Sequence, residues 1–101
     1  MGWDKRARLA LSKGETVQVK PKGNSMDPLI VSGAKVTLEP VDPDTVKKGD
    51  IVLVRVKGRT YLHLVKARRG KQVLIGNNKG HINGWASPDS VYGIVTEINN
   101  E

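Results

Sequence analysis

The sequence predicts a small, mainly β domain with a short helix or arm in front of it. Three observations carry that expectation. Short runs rich in Val, Ile and Leu recur from residue 16 onward, and such residues suit a pleated, half-buried strand. Pro and Gly interrupt the runs at most junctions, where they mark turns. The length, 101 residues, supports one hydrophobic core and not two. Residues 1–15 are therefore expected as an N-terminal helix or arm, and residues 16–101 as the β domain.

The elements follow in order. Trp3, Ala7, Ala10 and Leu11 fall at helical spacing, with Lys5, Arg6 and Arg8 between them, and the pattern ends near Gly14. Residues 17–19 alternate as a strand does, after which Pro21, Gly23 and Pro28 break the chain into a loop. Residues 35–39 alternate again before Pro40 and Pro43. The run Ile51-Val52-Leu53-Val54-Arg55-Val56 predicts the strongest strand, buried on at least one face. Lys57-Gly58-Arg59 reads as a hairpin turn into a strand over 60–65, and Arg69-Gly70-Lys71 as another into 72–75. Residues 76–89 read as a long polar loop and 91–98 as the closing strand. Six short strands with non-local pairing result.

Composition removes several classes of chemistry. The chain has no cysteine, which excludes disulfide scaffolds, thiolate-bound metals and thiol nucleophiles. His63 and His81 are its two histidines, too few for a histidine-rich metal site, so neither a metal nor a cofactor is expected. No apolar run approaches the roughly 20 residues of a membrane helix, and Met1-Gly2-Trp3-Asp4-Lys5-Arg6 does not begin a secretion signal. A cytoplasmic protein without a membrane span is expected. Seventeen Lys and Arg against ten Asp and Glu give a net charge of +7. That excess suits a polyanionic partner such as nucleic acid, and equally suits an ordinary solvated surface. The four aromatics, Trp3, Tyr61, Trp85 and Tyr92, do not interleave with the basic residues, so no base-stacking platform is expected.

The loop Lys22-Gly23-Asn24-Ser25-Met26-Asp27-Pro28-Leu29 is the most unusual segment. Gly23 allows close backbone approach and Pro28 restricts the turn after Ser25. A serine held in this way can direct its hydroxyl and its own N–H at one carbonyl, as acyl transfer requires. The ordinary reading is a polar loop. A serine also needs a base. His63 shares a strand face with Tyr61 and Val65, opposite Leu62 and Leu64; its ordinary reading is a half-exposed strand histidine. His81 lies in a Gly- and Asn-rich loop and reads as a surface residue. Asp89, in Ser87-Pro88-Asp89-Ser90, is able to orient an imidazole, although an acid before a strand is a common turn residue.

Taken together, the segments have a familiar order. Gly23-x-Ser25-Met26-x-Pro28, Gly49-Asp50-Ile51-Val52-Leu53-Val54, Tyr61-Leu62-His63, Gly76-Asn77-Asn78-Lys79, Ser87-x-Asp89-Ser90 and Tyr92-Gly93-Ile94-Val95 resemble the signal peptidase I and LexA-type serine peptidase superfamily over nearly the whole chain. The resemblance implies coiled antiparallel strands, Ser25 as nucleophile, and His63 where the bacterial branch carries a lysine base. It further implies Asp89 as the orienting acid, with Ser87 and Ser90 supporting the base or its loop. The Ser25 N–H would stabilise the oxyanion, with Asn24 as helper. The expected substrate is an extended peptide added as a strand, and the expected setting a free-standing peptidase of phage or prophage type. A second function, from a different class, is a catalytically inactive domain of the same fold that binds protein or nucleic acid. Homodimerisation through an exposed strand edge is compatible with either.

Overall fold

A computed structural model describes residues 3–100. They form one helix and seven strands: α1 (Trp3–Ser12), β1 (Val17–Val19), β2 (Lys35–Glu39), β3 (Ile51–Val56), β4 (Arg59–Arg69), β5 (Gln72–Gly76), β6 (Ile82–Ala86) and β7 (Val91–Asn99). The strands make a single sheet in the order β1-β2-β7-β3-β4-β5-β6, antiparallel at every step. The mainly β expectation therefore holds, with one strand more than the six expected. The first two residues of the expected N-terminal arm, Met1 and Gly2, and the terminal Glu101 lie outside the described residues.

The pattern of apolar side chains explains the layering. β3 sits between β7 and β4, and its Val52, Leu53 and Val54 are all fully buried. Alternate side chains leave opposite faces of a strand, so β3 feeds two clusters. Leu53 joins Ala7 and Leu11 of α1, Val36 and Leu38 of β2, Leu62, Met26 and Ile30 on one side. Val52, Val54 and Val56 join Val65, Val73, Ile75, Ala86 and Val91 on the other. α1 is thus part of the first core layer: Ala7 and Leu11 point inward, and Arg8 lies over the Tyr92 ring at 5.2 Å.

Close packing under α1 leaves little room for a side chain at Gly93. A Cβ there would lie 2.9 Å from the Glu39 carbonyl oxygen and 2.7 Å from Leu11 Cδ1. The leucine end is free to turn aside, but the carbonyl is held in the sheet. Gly93→Ala is expected to lower stability by about 1–3 kcal/mol, measured as a reduced denaturant midpoint at unchanged slope; an unchanged midpoint would contradict this packing.

The unexpected strand, β6, arises inside the segment read as a polar loop. Ile82-Asn83-Gly84-Trp85-Ala86 has weak strand character by composition. Tertiary contacts overrule it: Ala86 is buried in the second cluster, and Arg69 stacks over Trp85 at 5.0 Å. The pairing with β5 is irregular. Ile75 opposes Gly84 and Gly76 opposes Ile82, so Asn83 is the extra residue of a β-bulge. Gly84 has φ +140°, and a Cβ there would meet the side chains of Val56 and Lys57 at 3.3 Å. Glycine lets β6 come close over the tip of the β3–β4 hairpin.

Candidate active site

Ser25 is carried on the loop between β1 and β2, and that loop is fastened at several points. Met26 and Ile30 enter the first core cluster on either side of the cis Asp27–Pro28 bond. Within the loop, the Asp27 N–H donates to the Asn24 carbonyl at 3.2 Å and the Ile30 N–H to the Met26 carbonyl at 3.0 Å. The Gly23 N–H donates to Ser32 Oγ at 3.1 Å. The segment Gly76-Asn77-Asn78-Lys79 provides the outside anchor. The Asn78 N–H donates to the Ser25 carbonyl at 2.9 Å, and Asn78 Nδ2 donates to the Asp27 carbonyl at 2.7 Å. Asn77 shapes its own turn, its Oδ1 accepting from the Lys79 and His81 N–H groups.

This anchoring gives Asn78 a testable role. Asn78→Ala removes the side-chain bond to Asp27 and leaves a half-buried carbonyl without it, at a cost of about 1–2 kcal/mol. A displacement of about 1 Å at a reacting group can cost about 10²-fold in rate. Any hydrolysis that depends on Ser25 is therefore expected to fall by more than the loss of folded protein accounts for, read by comparing rate with denaturant midpoint.

His63 enters from β4. Its backbone pairs with Val52 of β3, and its ring stacks on Tyr61 with centroids 4.8 Å apart. The face shared with Tyr61 and Val65 is as the strand alternation predicts, but the residue is 7% exposed rather than half-exposed. Nε2 lies 3.3 Å from Ser25 Oγ, and Nδ1 lies 2.7 Å from Asn83 Oδ1. Burial pushes the imidazole below its usual value; the Asn83 bond works against that, and the charges of His81 and Lys66 add to it. The ring is therefore neutral at pH 7. With Nδ1–H donating to Asn83 Oδ1, the lone pair of Nε2 faces the serine hydroxyl.

The structure thus brings Ser25 and His63 together from positions 38 apart in sequence. It does not bring Asp89 to the imidazole. Asp89 is exposed in the 3-10 turn Pro88–Ser90, which lies against β3 and the turn Pro43–Thr45, and the Nδ1 contact belongs to Asn83. The physical reason is the added strand β6, which takes up the chain between Gly76 and the turn and places Asn83 at the ring. Ser87 and Ser90 bond each other, Oγ to Oγ at 3.3 Å, on the surface. Asn24 is exposed beside Ser25. Asn83 was missed because a lone Asn in a Gly-rich segment carries no local signal; the bulge that aims it exists only through pairing.

A cleft of about 160 Å³ opens at the pair, lined by Trp3, Pro21, Met26, Ile30, Tyr61 and Leu62 among others. It is smaller than the roughly 300–1,000 Å³ of common small-molecule pockets, and suits a side chain of a longer chain. One wall is an open strand edge. β4 pairs with β5 only from Leu64 onward, so residues 59–63 have β3 on one side and, among the described residues, no strand on the other. The Val65 N–H donates to the Asp50 carbonyl, and the Gly49 N–H to the Val65 carbonyl. Odd-numbered positions of β4 therefore face β3, and Thr60 and Leu62 direct their N–H and C=O groups into the cleft.

The chain matches the family model described as Peptidase S24-like over residues 5–94. It belongs to the Peptidase S24-like family. The matched span runs from within α1 into β7 and includes Ser25, His63 and Asn83, so the whole S24-like domain, helix included, lies close to the family's extent. No curated protein matches the chain. Membership places the domain in the LexA and signal peptidase superfamily and is consistent with a peptidase acting on protein. Among the described residues of this S24-like domain, no cluster of three or more His, Asp or Glu could hold a metal ion, and no helix is long and apolar enough to cross a membrane. The basic run at 66–71 is largely engaged within the domain: Arg68 and Lys71 reach Asp44 at 3.7 and 3.8 Å, and Arg69 stacks on Trp85.

Proposed function

We propose that this domain is a serine peptidase in which Ser25 is the nucleophile and His63 the general base. The observation that carries the reading is the 3.3 Å approach of Ser25 Oγ to His63 Nε2, within the range of an unliganded catalytic pair. Ser25 Oγ attacks the substrate carbonyl carbon as its proton passes to Nε2. The tetrahedral oxyanion is met by the Ser25 N–H, with Asn24 beside it. Nε2–H then protonates the departing amine as the C–N bond breaks, leaving an acyl ester on Ser25. Water attacks the ester and gives a proton to Nε2; as the ester C–O bond breaks, Nε2–H returns that proton to Ser25 Oγ and the acid is released. A buried imidazole that is neutral at pH 7 accepts the proton without the deep burial that a lysine base requires to be uncharged.

The substrate is an extended segment of polypeptide. Thr60 and Leu62 offer it the free edge of β4, a mode in which backbone hydrogen bonds give affinity and pockets select alternate side chains. The apolar lining beside the pair selects a small or medium apolar side chain. The reading is tested by incubating the purified protein with a mixed peptide pool, and separately with a fluorophosphonate, each followed by mass spectrometry. Peptide cleavage and a single adduct on Ser25 are expected. Folded protein that gives neither product would end the proposal.

A further inference from the structure

We propose that Asn83 is the positioning residue of the Ser25–His63 pair: from a β-bulge it takes the Nδ1 proton of the imidazole in a hydrogen bond and holds the Nε2 lone pair toward the serine. The assignment deepens the peptidase reading and rests on it.

Three features of the fold converge on this residue. The first is contact: Asn83 Oδ1 lies 2.7 Å from Nδ1 while Nε2 faces Ser25 Oγ, so the ring is held from both ends. The second is how Asn83 is aimed. It is the one residue of β6 skipped by the pairing with β5, between Gly84 opposite Ile75 and Ile82 opposite Gly76. A bulged residue leaves the regular alternation and can point where the pleat would not direct it. The third is the room made for it. Gly76 allows the turn after β5 to close, since a Cβ there would lie 2.6 Å from the His81 carbonyl oxygen, and Gly84 does the same against the β3–β4 hairpin. Tyr61, stacked on the ring, limits its rotation about χ2.

The chemistry of an amide differs from that of an acid at the same place. Both fix the tautomer, because either oxygen accepts from Nδ1–H. Only a carboxylate adds a negative charge that favours imidazolium. The groups facing His63 are Ser25 from the loop, Val52 from β3, Tyr61 and Lys66 from β4, His81 from the turn after β5, and Asn83 itself. None of these groups is a carboxylate. Asn83 therefore orients the base without holding its proton, and the pair retains a free base to lower pH than an acid-supported imidazole would.

The test uses the whole chain. In the native protein, long-range ¹⁵N–¹H spectra are expected to show His63 protonated at Nδ1 and bare at Nε2; a ring protonated at Nε2 would overturn the proposal whatever the activity. Asn83→Asp is expected to move the acid limb of kcat/KM, and the His63 titration seen by NMR, to higher pH by about one to three units. Asn83→Ala is expected to lower kcat by about 10²-fold with KM little changed, and to lose the Nδ1–H signature. Unchanged profiles in both variants would overturn the assignment. Failure of Ser25 to react in any variant, with the tautomer as expected, would instead count against the peptidase reading alone.

Discussion

Ser25→Ala is expected to remove peptide hydrolysis by at least about 10³-fold, the loss typical of a deleted nucleophile. The domain itself should be little affected. Ser25 is only partly buried and its Oγ makes one hydrogen bond, to His63, a contact worth about 1 kcal/mol. The features that hold the loop, namely Met26 and Ile30 in the core and the two Asn78 bonds, are untouched. A rate assay on a peptide cleaved by the native protein, beside a denaturation curve for each form, separates the two effects. Cleavage at the native rate by the Ser25→Ala protein would mean that the hydroxyl is not the nucleophile. Loss of folding together with activity would mean that the loop depends on Ser25 in a way its contacts do not indicate.

His63→Gln is the second large effect, with a fall in kcat of about 10²–10⁴-fold, because an amide cannot take the serine proton. The native pH profile provides a test that needs no mutation. Burial lowers the His63 pKa from the ordinary 6.5, so the rate should rise with pH along a limb centred below 6.5 and stay level through pH 7 and 8. A limb centred above 6.5, or no limb, would remove His63 as base. Stability has the same sign. The folded state binds the proton less tightly than the unfolded chain does. Its contribution is therefore whole above pH 6.5 and diminishes as pH falls from there to the lowered folded value. His63→Gln should flatten that part of the stability curve.

How much of this was legible before folding varies from residue to residue. The β3 run Ile51-Val52-Leu53-Val54-Arg55-Val56 declares a strand buried on at least one face, since β-branched residues dominate it. The hairpin turn is equally plain: Lys57 and Gly58 take φ values of 51° and 83°, the pair of left-handed positions that a tight two-residue connection demands. Ser25 stood out because Gly23, Met26 and Pro28 surround it in a fixed order. His63 was placed on the right face by strand parity alone. β6 was not legible. Asn and Gly are depleted in strands, and the buried Ala86 and the Trp85–Arg69 contact that justify the strand lie on partners far along the chain. Asp89 follows from the resemblance and from its charge, which are legible along the chain, whereas reaching the imidazole is not.

From the amino acids alone came the chemical inventory of this protein: no thiols, two imidazoles, one serine in a constrained loop, and enough alternating apolar residues for one β core. Those follow from side-chain chemistry and from the period of two that a strand imposes. Only the folded sheet decided which atoms meet. The union of Ser25 with His63, the choice of Asn83 over Asp89 at Nδ1, and the open edge at Thr60 and Leu62 all depend on register and on a single bulge. Register is set by the sum of contacts along paired strands, and a shift of one residue turns every side chain to the opposite face.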